Sequence, residues 1–519
     1  MEHPDRWHFS RRTFLRGGVA AALAGAASGS SVLAACGSPA TASYPRTRVP
    51  IGPMNPTGAA GLGPGGALLP PGTRPFPDVP AGADMLPEIE HVVVLMMENH
   101  SFDDHLGMLG RGDGLTRGPS GAPINYNPDP HGGFVRSWHL PTTCQPVDEG
   151  TSQDWNASHV SWNGGKNNGF VKACGAWAMG FWTQEDLPFY YSMASAFPIG
   201  DRYFSSVMAQ TYPNRRFLIG ATALGNVSTD LSGVSMSDFP NGVIFDRLDH
   251  YEISWKNYAP DLPTLALVFP LFEATQMKGK QHLGSIDDFL ADCAGGTLPG
   301  FSLVDPYINY SEENGDISVG EGYAAAIIQA VMRSPLWPTT ALFWTYDEHG
   351  GYFDHVPPAP AVLPDTVPPD LKGEGPAPIP GAYDYTGFRV PFSVVSPWAK
   401  RDHVSHVSYD HTSILKFVET KWNLPSLTYR DANAHNLLDF FSFAAPGQGS
   451  RSTGGTPPFL EPPSLAAPLN PFAGVPKPIC SDGKVTDFGG EVAAARWEEI
   501  PSGTNALLAA HARRHSYPD

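Results

Sequence analysis

Two carboxylate-bearing segments, Met96-Met97-Glu98-Asn99-His100-Ser101-Phe102-Asp103 and Thr345-Tyr346-Asp347-Glu348-His349-Gly350-Gly351-Tyr352-Phe353-Asp354-His355, stand far apart in the chain, and each directly follows an apolar run with strand character. The runs are His91-Val92-Val93-Val94-Leu95 and Ala341-Leu342-Phe343-Trp344. Parallel strands buried on both faces read as continuous apolar runs, and in open α/β sheets ligand-binding groups gather where such strands end. An α/β fold is therefore expected, with Glu98, Asn99, Asp347 and Glu348 at one edge of its sheet. Hard divalent cations take carboxylate and amide oxygens, so these four side chains form a candidate metal site. Each segment alone also reads as an ordinary turn, because Asp, Asn and Gly favour turns for local backbone reasons. The presence of two such segments favours the site.

Further strands are expected at Glu252-Ile253-Ser254-Trp255, Phe301-Ser302-Leu303-Val304 and Phe392-Ser393-Val394-Val395. Residues 322–332 read as a buried helix leading into the Ala341 strand, and residues 413–422 as an amphipathic helix. Strands alternating with helices imply a mostly parallel sheet covered on both faces. The Pro-rich stretches 356–381 and 444–480 are expected to run as extended surface loops.

The N-terminus carries an export address. Ser10-Arg11-Arg12-Thr13-Phe14-Leu15-Arg16 has the form of a twin-arginine signature, followed by a weakly apolar Gly/Ala-rich stretch that is not a membrane span. Leu33-Ala34-Ala35-Cys36-Gly37 resembles a bacterial lipobox, in which the Cys is lipidated. The expected organisation is a signal peptide with lipobox over 1–36, a Pro/Gly-rich tether over 37–86, a catalytic domain over 87–443, and a Pro-rich segment with a C-terminal helix packing on it over 444–519. The tether is expected to be flexible, since its composition offers few large apolar groups to offset chain ordering. Such a protein would meet the twin-arginine translocase during export. It would end on the outer face of the cell membrane or in the cell wall, held by a lipid anchor or released. In an oxidising compartment disulfides persist. Of the three pairings open to Cys144, Cys174, Cys293 and Cys480, Cys144 with Cys174 closes the shortest loop.

Beyond signal and tether, roughly 430 residues remain, enough for one large domain with long insertions or for two. The 51 Asp+Glu against 33 Lys+Arg give a formal charge of −18, which disfavours nucleic acid and leaves no broad basic surface for anionic membranes. Any phosphate recognition must then be local.

A third segment, Ser205-Ser206-Val207-Met208-Ala209-Gln210-Thr211-Tyr212-Pro213-Asn214-Arg215-Arg216, places a hydroxyl just before a Pro-Asn-Arg turn. Together with Glu98-Asn99 and Asp347-Glu348 it resembles the bacterial phosphoesterase family of phospholipases C and secreted acid phosphatases, over about residues 89–438. The resemblance implies an alkaline-phosphatase-like α/β/α sandwich with a mostly parallel central sheet and long loop insertions. It also implies that Glu98, Asn99, Asp347 and Glu348 are metal ligands and that Thr211 is both ligand and nucleophile. The chemistry is coherent, because a Thr hydroxyl is a poor nucleophile until a cation favours its alkoxide. Oxygen ligands suit Ca²⁺, Mg²⁺ or Mn²⁺ and leave Zn²⁺ and iron open.

Leaving-group protonation calls for an acid, and His is the natural side chain near neutral pH. By the resemblance, His159 in Ser158-His159-Val160-Ser161-Trp162-Asn163-Gly164-Gly165 lies near the substrate phosphate. His349 and His355 flank the carboxylates, with Asp354 placed to orient one of them, and His411 and Arg215 are candidate substrate contacts. Two departures from the family pattern stand out. The first motif reads Ser-Phe-Asp-Asp-His-Leu-Gly where Ser-Phe-Asp-His-Tyr-Phe-Gly is usual. Glu312-Glu313-Asn314-Gly315-Asp316 occupies the place where many members carry an Asp/Glu-His-Pro segment. The expected activity is metal-dependent hydrolysis of a phosphoric ester through a phosphothreonine, with phospholipase C action on glycerophospholipids foremost. The alternatives are an acid phosphatase acting on monoesters and a non-catalytic lipoprotein that binds a phosphorylated ligand.

Overall fold

The computed structural model describes residues 67–145, 151–229, 238–260, 263–265, 282–307, 315–443, 456–474 and 489–516, all within the compact unit Arg46–Asp519. The twin-arginine motif, Cys36 and residues 312–314 lie outside the described residues.

The central sheet is built from β1 (His91–Met97), β2 (Ile199–Gly200), β3 (Trp255–Tyr258), β4 (Leu283–Gly284), β5 (Phe301–Val304), β6 (Thr340–Tyr346), β7 (Phe392–Val395) and β8 (Val404–Ser405). Their order is β8-β2-β7-β6-β1-β5-β3-β4. β1 pairs in parallel with both β6 and β5, and β3 continues the parallel run to β4. β7 runs antiparallel to its neighbours β6 and β2. Successive strand residues point to opposite faces, and every residue of β6 and all but the first of β1 is buried. Both faces of the sheet are therefore covered, which gives the mostly parallel α/β sandwich expected from the apolar runs.

The helices that matter below are α1 (Phe102–Leu106), α2 (Trp155–Trp162), α3 (Thr211–Gly220), α4 (Ile317–Arg333), α5 (His411–Trp422) and α6 (Thr504–Arg514). α4 starts where the Asp316 side chain accepts from Ser318 N–H, satisfying a donor at the helix end, and it leads into β6 as expected. α5 starts at Asp410 in a capping box with Ser413. No helix among the described residues is long and apolar enough to cross a membrane.

Four expectations need correction. The strand expected at 252–255 begins only at Trp255, because Glu252 adopts a left-handed φ of 54° that breaks extended backbone. α5 is buried along its whole length rather than amphipathic, its polar Lys416 being paired to Glu419. The last part of the supposed tether, from residue 67, belongs to the fold. It lies over the end of α5, where the Asn423 amide donates to the carbonyls of Phe76, Val79 and Pro80, while Lys421 pairs with Asp84. Cys144 is disulfide-bonded whereas Cys174 and Cys293 are free and buried, so the Cys144–Cys174 pairing is wrong. Ser152 takes up the Cys174 thiol instead, with its carbonyl 3.3 Å from Sγ.

Downstream of the second Pro-rich stretch the chain returns to the domain. Arg496–Trp497 pairs antiparallel with Phe134–Arg136, and α6 follows.

Candidate active site

Parallel register brings the first two motifs together. Met97 at the end of β1 stands opposite Tyr346 at the end of β6, so the next residues, Glu98 and Asp347, emerge side by side. Asn99 turns out of the strand at a φ of 68° and donates its N–H to Asp347 Oδ1 at 3.0 Å. Glu348 N–H donates to the same oxygen at 2.8 Å. Gly350 N–H donates to Glu348 Oε2 at 2.7 Å, and a Cβ on Gly350 would lie 2.0 Å from the Asn99 carbonyl oxygen. Only glycine fits that crossing of the two motifs, at its φ of 62°.

α3 supplies the third piece. Thr211 is its first residue and donates its hydroxyl to Glu98 Oε1 at 3.1 Å. Arg215 sits one turn later on the same face and reaches in among the carboxylates. Its Nε donates to Asp347 Oδ2 at 3.1 Å, its Nη1 lies 3.3 Å from Asp305 Oδ1, and its Nη2 lies 3.6 Å from Glu98 Oε2. Arg215 is 1% exposed, which makes it a buried counter-ion of the acidic cluster rather than a surface substrate contact.

Asp305 was not singled out from the sequence. It follows the last residue of β5, where the strand-end rule that found Glu98 and Asp347 would also have placed it. Its carboxylate also accepts from Asn257 Nδ2 at 2.8 Å and from Thr264 N–H at 2.7 Å, so it serves as a fixed anchor for Arg215.

Burial, opposed by Arg215 and reinforced by Glu98, pushes the Asp347 carboxyl up to about 7. Several buried carboxylates around one guanidinium leave an excess of negative charge, which a divalent cation among Glu98, Asn99, Thr211, Asp347 and Glu348 would offset. The donor set of carboxylate, amide and hydroxyl oxygens fits such an ion.

The histidines divide into two groups. His411 donates Nε2–H to the Asp347 carbonyl at 2.7 Å, and its Nδ1 lies 3.2 Å from the Tyr203 hydroxyl. Burial pushes its pKa down to about 4, and the neutral ring supports the backbone of the second motif at Asp347. His349 packs against the Phe388 ring at 4.4 Å with Nδ1 3.5 Å from Glu348 Oε2. Its buried Nε2 has no hydrogen-bond partner, and burial pushes its pKa to about 3.

His159 lies on α2 at the wall of a cavity of about 470 Å³, shared with Trp162, Asn163, Asn168 and Lys172. Its Nδ1 bonds the Trp155 carbonyl at 2.7 Å, which leaves Nε2 as the basic nitrogen. α2 is tied to the start of α3, because Asp154 just before α2 accepts from the Gln210 amide just before Thr211.

Asp354 and His355 are engaged elsewhere. Asp354 accepts from Arg389 Nε at 2.8 Å and makes no hydrogen bond to either flanking histidine. Asp103 takes that part for His355, accepting from Nδ1 at 2.7 Å, while His355 Nε2 lies 3.1 Å from Asp113 Oδ1. Burial opposes protonation of His355, yet Asp103 and Asp113 outweigh it and lift its pKa to about 10. A ring held at both nitrogens with so high a pKa is poorly suited to give up a proton near neutral pH.

The departure in the first motif is satisfied internally. His100 Nδ1 lies 2.7 Å from Asp104 Oδ2, and the rings of His100 and His105 stack at 4.3 Å, all within the core. Among the described residues three Asp/His groups have ligand atoms close enough to share an ion: His100/Asp104/His105, Asp113/His355/His511 and Asp103/Asp354/His355.

The model of the phosphoesterase family matches residues 89–425, a stretch that holds all three motifs. The chain belongs to the phosphoesterase family. It is a hydrolase of phosphoric esters, and the relatives agree. Phospholipase C B of Mycobacterium tuberculosis is 31% identical over 423 residues, covering 70% of this phosphoesterase and 80% of its own length. Non-specific phospholipase C1 of Arabidopsis thaliana is 31% identical over 390 residues, covering 68% and 71%. Non-hemolytic phospholipase C of Burkholderia pseudomallei is 29% identical over 470 residues, covering 75% and 64%. A solved protein of the alkaline phosphatase superfamily from Vibrio parahaemolyticus is similar over 64% of this chain and 76% of its own, with 11% identity and a TM-score of 0.32, a likeness too loose to add to the topology above.

Proposed function

We propose that this phosphoesterase is a metal-dependent phospholipase C that cleaves glycerophospholipids to diacylglycerol and a phosphorylated head group. The observation that carries the reading is the convergence of Thr211, Glu98, Asn99 and Asp347 through bonds of 3.0–3.1 Å, with Glu348 beside them. The names of the relatives support the substrate class.

Glu98, Asn99, Thr211, Asp347 and Glu348 would hold the ion, which when bound lowers the pKa of a coordinated hydroxyl and draws charge from phosphoryl oxygens. Glu98 orients the Thr211 hydroxyl for in-line attack on phosphorus. Arg215, anchored by Asp305, keeps the carboxylates in place without itself meeting the substrate. As the P–O bond to diacylglycerol breaks, an acid protonates the leaving alkoxide, and His159 on the cavity wall is the candidate for that step. Water then hydrolyses the phosphothreonine. Asp354 and His355 act as braces in this reading. The Arg11-Arg12 pair and Cys36 support export through the twin-arginine translocase and lipid anchoring.

The test is an assay of the purified full chain on phosphatidylcholine vesicles and on p-nitrophenyl phosphate, before and after exhaustive chelation with elemental analysis. Release of diacylglycerol that stops on metal loss and returns with added Ca²⁺, Mg²⁺, Mn²⁺, Zn²⁺ or Fe²⁺ is the expected result. Turnover of the monoester alone would make the protein a phosphatase, no turnover of either a binding protein, and full activity after confirmed metal loss a metal-free enzyme.

A further inference from the structure

Asp113 gathers three imidazoles around one oxygen. His355 Nε2 lies 3.1 Å from its Oδ1, His511 Nε2 2.8 Å and His515 Nδ1 3.8 Å. Two of these rings come from the C-terminal end of the chain, beyond the residues that the family model matches. His511 and His515 stand four apart at the end of α6, a spacing that puts both rings on one side of a helix.

Three observations point to a cation. Zinc held tetrahedrally at about 2.0 Å by nitrogen and oxygen sets neighbouring ligand atoms about 3.3 Å apart, and the ligand atoms of Asp113, His355 and His511 all lie within 4.8 Å of one another. Asp103 stands behind His355, accepting from Nδ1 at 2.7 Å and fixing the ring, so that a bound metal would take the place of the Nε2 proton that His355 otherwise shares with Asp113. Arg202 holds the second Asp113 oxygen at 2.7 Å and turns Oδ1 towards the three rings.

We propose that Asp113, His355 and His511 form a zinc site, with its fourth position open to water, that pins α6 to the catalytic domain. The helix needs such a pin. Of its eleven residues only Thr504 is buried, Leu507 is 40% exposed, and so short a helix is marginal without tertiary contacts. Two imidazole nitrogens and one carboxylate oxygen select zinc over hard cations, whereas the oxygen-only set around Asp347 has the opposite preference. The site does not depend on the proposed reaction.

The test compares the full-length protein with its His511→Ala/His515→Ala variant, both loaded with excess zinc, freed of unbound metal and analysed for their zinc content. The full-length protein should keep one more zinc per chain than the variant, the oxygen site being common to both. Equal zinc content would overturn the proposal. Because the variant could lose α6 altogether, a second measurement uses the unaltered protein alone. Zinc should slow tryptic cleavage at Arg513 and Arg514 at least tenfold over the zinc-free protein, and equal cleavage with and without zinc would overturn it.

Discussion

Thr211→Ala is expected to lower phosphoester turnover by about a thousandfold or more, the scale on which removal of a nucleophile acts. The fold should survive, because the change removes only the hydroxyl that donates to Glu98 and a methyl group at the first residue of α3. Thr211→Ser should keep measurable activity, since it preserves the oxygen. The check is kcat on a phospholipid together with thermal unfolding of each variant. Near-normal kcat in the alanine variant would remove Thr211 from the chemistry.

The largest effect on stability is expected at Arg389. Its guanidinium is fully buried and bonds Asp354 Oδ1 at 2.8 Å, Asp103 Oδ1 at 3.0 Å and the carbonyls of Asp113 and Asp201 at 2.8 and 2.9 Å. It also lies over the Phe102 ring at 4.5 Å. These contacts join the first motif, through Asp103, to the second, through Asp354. Arg389→Leu keeps bulk but removes the guanidinium from two buried carboxylates, of which only Asp103 keeps a cationic partner, His355, a change that costs about 3 to 5 kcal/mol. Against a total stability of about 5 to 15 kcal/mol, a loss of that size removes roughly a fifth to all of it. Denaturant titration checks this, and a loss below about 1 kcal/mol would show that the carboxylates find other partners.

What was legible in the sequence follows from how local the signal is. The apolar runs of β1 and β6 and the carboxylates just past them are local, and parallel pairing places such residues together without further information. The same rule applied to β5 leads to Asp305, yet Asp305 stands in no recognisable motif, and its part as anchor of Arg215 depends on a helix some ninety residues earlier in the chain. The partners of Asp354 and His355 were hidden for the same reason. Sequence adjacency to Asp347 and Glu348 suggested a catalytic role, whereas the backbone carries them to Arg389, Asp103 and Asp113.

Composition misled in a different way at residues 67–86. A segment poor in large apolar groups was expected to be loose, but it is held by carbonyls meeting the Asn423 amide and by the Lys421–Asp84 pair, contacts that composition does not display. The pairing of cysteines by loop length failed because proximity in sequence says nothing about where Cys174 points in the folded core.

The central claim, that Thr211 forms a covalent phosphoenzyme, is tested most directly by the stereochemical course at phosphorus. A phospholipid made chiral at phosphorus with sulfur and oxygen isotopes is hydrolysed, and the configuration of the released head-group phosphate is determined. Each in-line displacement inverts phosphorus. Attack by Thr211 followed by attack of water makes two inversions, so the account predicts net retention. Net inversion would mean that water attacks the phospholipid directly, and it would contradict the account.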